Sequence, residues 1–181
     1  MTDYSQFEDA QLIQYAHQDA KAFDVLYHRY LPRLYRYCLQ RVNDTQQAED
    51  ISSQVFFEVL DGLMNGKYRE SGCFAAWLFT IARRRVVDLY RKPEVEALQE
   101  SHPIDPEISR QVEDLDDKQQ LLDLIQELDE EQLELLRLRF AAELSFDEIA
   151  FLDGRKPAAV KMAIYRMLEK LRVRWEKIYG K

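Results

Sequence analysis

The chain has 181 residues, of which 46% are apolar and 32% are charged, and its formal net charge is −8. This composition is typical of a soluble globular protein with one large domain or two small ones, and five glycines with five prolines are too few for a turn-rich all-β fold. No run of 18 apolar residues occurs and the acidic N-terminus "MTDYSQFEDA" lacks a signal-peptide pattern, so we expect a cytosolic protein without membrane insertion.

Apolar periodicity predicts five helices in the first half of the chain. Two cover residues 9–17 and 20–30, and a third covers residues 31–42 with Pro32 in its first turn, where proline is tolerated. A fourth starts near Asp44, and its predicted apolar face consists of Ile51, Val55, Phe56, Val59, Leu60 and Leu63. After a glycine-punctuated loop, residues 65–73, the stretch "WLFTIARRRVVDLYRK" (77–92) gives the fifth helix. We expect one compact domain over residues 1–92.

The fifth helix has an apolar stripe and an opposite polar stripe. The apolar stripe is formed by Leu78, Ile81, Ala82, Val86 and Leu89, and the polar stripe by Trp77, Thr80, Arg84, Asp88 and Arg91. An exposed aromatic ring in line with cations indicates a surface that binds a partner. Two alternatives stay open: Trp77 is a core residue, and Arg83, Arg84 and Arg85 are a solvated face.

Acidic charge is concentrated in residues 93–117, which carry nine acidic residues and one arginine. Three prolines and the lack of sustained periodicity predict a flexible, self-repelling linker there. The flanking segments are basic, with a net charge of +5 over residues 67–92 and +6 over residues 149–181. Local charge therefore favours a nucleic-acid partner, although the net charge does not.

Residues 118–181 are predicted to form a second helical domain. One helix is marked by Leu121, Leu122, Ile125 and Leu128, and another by Leu133, Leu136 and Phe140. Ser145 and Glu148 have capping-box spacing, Gly154 lies in a tight turn, and Pro157 suits the first position of a long helix. The predicted buried positions of that long helix are Val160, Ile164, Leu168, Leu171 and Trp175.

A short helix, a glycine turn and a longer basic helix form a helix-turn-helix pattern. Its exposed basic face is predicted to consist of Arg155, Lys156, Lys161, Met162, Tyr165 and Arg166. A helical hairpin without a DNA-binding role would give the same pattern. Without strand signals or internal repeats, the expected fold class is all-α, with two helical domains joined by the acidic linker. Cys38, Cys73 and three scattered histidines have no metal-ligand spacing, so no catalytic residue, metal or cofactor is expected.

Four stretches, in this order, resemble bacterial RNA polymerase sigma factors of the extracytoplasmic-function group of the sigma-70 family. They read "AFDVLYHRYLPRLYRY", "QAEDISSQVFFEVL", "FAAWLFTIARRRVVDLYR" and "LSFDEIAFLDGRKPAAVKMAIYRMLEKLR". The resemblance implies a non-enzymatic promoter-specificity subunit whose first domain reads and melts the −10 element and whose second reads the −35 element. It also implies partners: promoter DNA, core RNA polymerase (the clamp helices of its largest subunit and the flap of its second subunit) and an anti-sigma factor. The chain is expected to be a monomer when free, and its linker resembles the segment that threads toward the polymerase active centre.

The resemblance also assigns site residues. For −10 binding and melting they are Lys67, Tyr68, Arg69, Trp77, Thr80, Arg83, Arg84 and Arg91. For −35 binding they are Arg155, Lys156, Ala159, Lys161, Met162, Tyr165 and Arg166. For docking on core polymerase they are Asp50, Ser53, Gln54 and Asp61, although Asp50 could serve only the dipole of its helix.

This chain departs from the family pattern at two positions. Arg84 stands where the family usually has asparagine, and Ala163 stands where arginine is common. The −10 and −35 sequence preferences are therefore left open. Two other classes of function also stay open: a stand-alone helix-turn-helix regulator, which would bind duplex DNA unaided, and a metal-dependent enzyme acting on nucleic acid.

Overall fold

A computed structural model of the chain describes residues 2–68, 72–91 and 115–179, with side chains described from residue 120 in the last range. The chain divides into two compact units, residues 1–98 and 99–181. Unit 1 contains α1 (Asp9–Ala16), α2 (Ala20–Val42), α3 (Thr45–Met64) and α4 (Phe74–Arg91). Unit 2 contains α5 (Leu115–Gln126), α6 (Glu130–Leu136), a π-helical turn (Arg137–Ala141), α7 (Phe146–Asp153) and α8 (Pro157–Tyr179). Because every regular element in these ranges is helical, the predicted all-α fold is confirmed.

Helix α2 is the centre of unit 1, since α1, α3 and α4 all pack against it. Leu26, Leu34 and Tyr37 of α2 are buried, and the Tyr37 ring meets the buried Phe79 ring of α4 edge to face, 5.4 Å between centroids. Local chemistry fixes the ends of the helices. The Asp44 carboxylate accepts a hydrogen bond from the Gln47 backbone N–H at 2.7 Å and so caps α3.

The predicted break between residues 30 and 31 is wrong, because α2 runs without interruption through Pro32. A proline inside a helix costs about 3 kcal/mol through its missing N–H and its steric clash. Pro32 is exposed, whereas Leu26, Tyr30, Leu34 and Tyr37 form one buried stripe that spans it. Burial of that stripe outweighs the local cost, as tertiary packing often does.

The predicted core of α3 and α4 is largely confirmed, with one correction on α3. Leu60 remains 37% exposed, while Ile51, Val55, Phe56, Val59 and Leu63 are buried as expected. Leu60 lies a quarter turn from the centre of the buried stripe, at the edge of the exposed side of the helix. On α4 the predicted stripe is buried except for Leu89, which is half-buried.

In unit 2 the local motifs around α7 are confirmed. The Ser145 hydroxyl accepts from the Glu148 backbone N–H at 3.1 Å, and the Glu148 carboxylate accepts from the Ser145 N–H at 2.7 Å. Gly154 ends α7 with φ +64°, a left-handed conformation that glycine adopts without strain, and Pro157 opens α8. The sequence chemistry therefore places both helices of the helix-turn-helix.

Two predicted core assignments in unit 2 are wrong. Phe140 is 42% exposed, because the π-helical turn inserts one extra residue per turn and brings Leu138 and Ala141 to the core instead. On α8, Leu168, Leu171 and Trp175 are only half-buried, and Met167 is buried with Val160 and Ile164. Val173 and Ile178 are also exposed, so the second half of α8 is less covered than the first.

The predicted linker, residues 93–117, lies outside the described residues except for 115–117, which form the first turn of α5. No helix in the described part of the chain is both long and apolar enough to cross a membrane.

Candidate nucleic-acid interfaces

On unit 1, one carboxylate of α3 holds two of the α4 arginines. Glu58 accepts from Arg85 Nε at 3.1 Å and from Arg85 Nη2 at 2.7 Å through its Oε2 atom, and Arg84 Nη2 donates to its Oε1 atom. Desolvation opposes ionisation of Glu58, but the hydrogen bonds and charges of Arg84 and Arg85 outweigh it, so the pKa of this carboxyl lies below its ordinary value. Arg84, Arg85 and Glu58 together therefore carry a net charge of +1, and the Arg84 side chain is still 56% exposed.

The first residues of the 65–73 loop fold back onto the end of α3. Lys67 Nζ donates to Asp61 Oδ2 at 2.6 Å, and Asn65 Nδ2 donates to Asp61 Oδ1 at 2.7 Å. The backbone N–H of Lys67 donates to the Gly62 carbonyl at 2.8 Å. The loop therefore has a defined start, in which Lys67 stays exposed beside the aromatic residues that follow it.

Three rings cluster where this loop meets α4. The Tyr68 ring lies 5.0 Å from the Trp77 ring and 6.0 Å from the Phe74 ring, and the Tyr68 hydroxyl donates to the Gly72 carbonyl at 2.8 Å. Phe74 is buried, whereas Tyr68 and Trp77 are half-buried and form the accessible side of the cluster. Trp77 is therefore neither exposed, as its place on the predicted polar stripe implied, nor fully buried, as the alternative of a core tryptophan implied.

Trp77 rests on a glycine of α3. A Cβ atom on Gly62 would lie 2.7 Å from Trp77 Cζ2 and 2.8 Å from Trp77 Cη2, well inside the carbon–carbon contact distance of about 3.5–4.0 Å. The absence of a side chain at Gly62 therefore allows the edge of the indole to pack closely against α3. From the sequence alone, Gly62 is only a residue of low helix propensity inside a predicted helix.

The remaining residues predicted for −10 binding are spread along α4. Thr80 is exposed and its hydroxyl donates to the Ala76 carbonyl at 2.7 Å, Arg83 is half-buried, and Arg91 is exposed at the last position of the helix. Arg69 lies outside the described residues. The structure thus brings Lys67, Tyr68 and Trp77 together, places Arg84 on Glu58, and leaves Arg91 at the far end of α4.

The outer side of α3 carries an apolar patch that sequence reasoning missed. Asp50, Ser53 and Gln54 are exposed as predicted, and Phe57, one turn further on, is 78% exposed. Leu60 and Met64 extend this patch toward the end of the helix, and we call the three residues Phe57, Leu60 and Met64 the α3 patch. The available signal was helical spacing: Phe57, Leu60 and Met64 recur at intervals of three and four residues, which places them together on one face of α3.

Unit 2 exposes the predicted face of α8. Lys156, Ala159, Lys161, Met162, Tyr165 and Arg166 are all exposed. Arg155 differs, because its Nη1 atom donates to Glu131 Oε1 at 3.0 Å and its side chain is one-third exposed. An exposed helix with cations and small apolar groups on one face has the chemistry to contact phosphates and base edges in a major groove.

Two neighbouring rings, each with a cation over it, connect the elements of the helix-turn-helix. The Arg139 guanidinium lies over the Phe146 ring at 5.0 Å, the Phe146 and Tyr165 rings are 6.1 Å apart, and Lys161 Nζ lies 5.7 Å from the Tyr165 ring centroid. Arg139 also donates to the Leu144 carbonyl at 2.8 Å. Sequence reasoning missed Arg139 and Phe146, which belong to the π-helical turn and to α7. Phe146 contacts the Tyr165 ring, and Arg139 in turn contacts Phe146.

Within the described residues, no three His, Cys, Asp or Glu side chains lie close enough to hold a metal ion.

Comparisons with known proteins identify the family of this chain. The family model for sigma-70 region 2 matches residues 26–94, and the model for sigma-70 region 4 matches residues 118–171. The ECF RNA polymerase sigma factor BldN of Streptomyces coelicolor is 33% identical over 159 residues, which cover 84% of this chain and 60% of BldN. The ECF RNA polymerase sigma factor ShbA of Streptomyces griseus is 33% identical over 170 residues, which cover 85% of this chain and 87% of ShbA.

Among solved structures, the fold is similar to that of CnrH in complex with the cytosolic domain of CnrY. The TM-score is 0.66 at 21% identity, and the match covers 94% of this chain and 98% of that one. The two sigma-70 regions occur in order, and a relative at 33% identity is matched over most of its length. The chain therefore belongs to the extracytoplasmic-function group of sigma-70 family RNA polymerase sigma factors, which are transcription initiation factors and not enzymes.

Proposed function

We propose that this chain binds core RNA polymerase and directs promoter-specific initiation, with residues 1–92 docking on the enzyme and opening the −10 element and residues 118–181 reading the −35 element. Residues 93–117 connect the two activities. The observation that carries the proposal is the pairing of α3 with α4. One helix exposes an apolar patch suited to a protein partner, and its neighbour exposes cations beside accessible rings suited to unpaired DNA.

The α3 patch supports the docking role. An exposed phenylalanine flanked by Leu60 and Met64 is an apolar surface with no function in the fold of unit 1. Asp50, Ser53 and Gln54 border it on the N-terminal side with exposed polar groups, and polar residues next to an apolar centre are common in protein interfaces. We assign this surface to the clamp helices of the largest polymerase subunit.

The aromatic cluster and the arginines support −10 opening. Unpaired bases offer faces for stacking and keep their phosphates, so a surface that holds them needs rings and cations at close range. Tyr68 and Trp77 provide the rings, while Lys67, Arg84 and Arg91 provide exposed cations along the same side of unit 1. Thr80, Arg83 and Arg69 complete the proposed contact set.

The exposed face of α8 supports −35 reading. Lys156, Lys161 and Arg166 suit phosphates or guanine, and Ala159 with Met162 suits the methyl group of thymine. Arg155 is held by Glu131, so we expect it to contact the DNA backbone only after that pair opens. The flap of the second polymerase subunit is the further contact proposed for this unit.

A protein inhibitor is the remaining proposed partner. The solved CnrH chain, which shares the fold, is in complex with the cytosolic domain of CnrY. We infer that this chain, a monomer when free, is likewise held by an anti-sigma factor until a signal releases it.

Binding to bacterial core RNA polymerase in gel filtration tests the proposal directly. The same fractions would transcribe a sheared genomic library of the source organism. Co-elution at one copy per polymerase with discrete run-off transcripts is the expected result. A chain that fails to bind where another sigma factor binds, or that binds duplex promoter DNA specifically without polymerase, would refute the proposal.

A further inference from the structure

Two adjacent residues of α3 hold the start of the 65–73 loop. The Asp61 carboxylate accepts from Lys67 Nζ at 2.6 Å and from Asn65 Nδ2 at 2.7 Å, so both of its oxygens are engaged. The Gly62 carbonyl accepts from the backbone N–H of Lys67 at 2.8 Å and lies 3.4 Å from that of Tyr68. One turn of α3 therefore binds the side-chain amide of Asn65, the ammonium group of Lys67 and the backbone of residues 67 and 68.

The position of this loop determines what the aromatic cluster presents. Tyr68 follows Lys67 directly, and its ring contacts the Trp77 indole at a centroid distance of 5.0 Å. The edge of the same indole packs against Gly62. We therefore expect a displacement of Lys67 to shift Tyr68 relative to Trp77 and to change the ring surface that would stack on DNA bases.

The charge of Asp61 supports this contact. Hydrogen bonding from Lys67, assisted by its positive charge and by Asn65, holds the pKa of the Asp61 carboxyl below its ordinary value against some desolvation. The Asp61 carboxyl is therefore ionised at neutral pH and available to pair with Lys67. A contact of Asp61 with a protein partner would have to compete with both of these bonds.

We propose that Asp61 is a positioning residue for residues 65–68, acting through Lys67 and Tyr68 on the ring surface of Trp77. This revises the sequence-based assignment, in which Asp61 contacts the polymerase together with Asp50 on the same side of α3. The effect on DNA rests on the proposed sigma-factor function, whereas the effect on Trp77 does not.

Fluorescence of the full-length chain tests the positioning role without DNA. The chain has two tryptophans, so a Trp175→Phe background leaves Trp77 as the sole reporter. In that background Asp61→Asn is expected to shift the Trp77 emission to the red and raise its quenching by acrylamide. Asp50→Asn removes the same charge from α3 at a distance from the loop, and it is the matched control.

A charge swap separates positioning from a direct contact. Asp61→Lys combined with Lys67→Asp restores the ion pair in reverse, so Trp77 emission and quenching should return toward wild type. Neither single substitution should do so. A swap that behaves as the sum of its two parts, or an Asp61→Asn variant with unchanged quenching, would overturn the proposal.

Binding assays provide the second arm. Core polymerase affinity is expected to be unchanged by Asp61→Asn and reduced by Asp50→Asn. Asp61→Asn should instead reduce the capture of fork-junction oligonucleotides by assembled holoenzyme about threefold, the effect of one exposed charge pair. The oligonucleotides are randomised over their single-stranded segment. If Asp61→Asn lowers polymerase affinity and leaves Trp77 quenching normal, Asp61 contacts the polymerase directly and the positioning role is refuted. If the wild-type chain does not bind core polymerase, the proposed function is refuted instead.

Discussion

The close contact between Gly62 and Trp77 allows a quantitative prediction for the substitution Gly62→Ala. The new Cβ atom would meet the indole at 2.7 and 2.8 Å, so the ring must retreat by about 1 Å to reach an ordinary carbon–carbon contact. Overpacking of this kind costs about 1–3 kcal/mol. Alanine in a helix interior returns about 1 kcal/mol relative to glycine. We expect a net loss of about 1 kcal/mol in the free energy of unfolding of unit 1.

Urea unfolding of the full-length Trp175→Phe chain, followed by Trp77 emission, measures this loss for unit 1 alone. The native emission of Gly62→Ala should also differ from wild type, since the ring has moved. Ser53→Ala is the control for helix propensity, because Ser53 is exposed on the same helix and should gain about 0.5 kcal/mol.

A double substitution tests the cause of the loss. Trp77→Phe removes Cζ2 and Cη2, the two atoms that meet the new methyl group. In that background Gly62→Ala should become stabilising by about 1 kcal/mol, as measured by circular dichroism. If Gly62→Ala stabilises the wild-type chain as well, with unchanged emission, the reasoning from the close contact is refuted.

Three further predictions concern the other surfaces. Phe57→Ser should change stability by less than about 0.5 kcal/mol, because Phe57 is exposed, while core polymerase affinity in a titration falls about tenfold or more. Glu58→Gln should lower the stability of unit 1 by about 1 kcal/mol at pH 7. Since the folded pKa of Glu58 is depressed, the wild-type advantage is complete above the ordinary value of 4.5 and disappears as pH falls through the folded pKa, which urea unfolding at pH 7 and pH 3 would show. Lys161→Ala should reduce the salt dependence of holoenzyme binding to duplex DNA by about one charge, whereas Tyr165→Ala should weaken binding without changing that slope.

Each of these has a result that contradicts it. Normal polymerase affinity for Phe57→Ser would remove the α3 patch from the docking surface. An equal difference between Glu58→Gln and wild type at both pH values would mean that the carboxylate charge does not stabilise the arginine pair. Identical salt slopes for Lys161→Ala and wild type would show that this cation does not meet a phosphate.

Features that depend on neighbours along the chain were predictable from sequence. The capping box of Ser145 and Glu148, the left-handed Gly154 and the opening Pro157 all appear as expected, because each is set by backbone chemistry within a few residues. The exposed face of α8 followed from the same boundaries, since they fix the register of the helix.

Features that depend on distant packing were not predictable. Glu58 is 26 residues from Arg84, and only the packing of α3 on α4 brings the two together. Pro32 predicts a helix boundary by local rules, but a buried stripe on both sides of it keeps α2 continuous. Phe140 has core periodicity, and the π-helical turn that exposes it has no marker in the residues themselves.

The two sides of α3 also have a consequence for genetic analysis. Phe57 faces outward, whereas Glu58 and Gly62 contact α4 and the loop residues next to it. Defects at Phe57 should therefore be suppressed by second mutations in another gene, the one encoding the docking partner. Defects at Glu58, Asp61 or Gly62 should be suppressed within this gene, by changes at Arg84, Lys67 or Trp77. A single helix would then yield two allele classes, distinguished only by where their suppressors map.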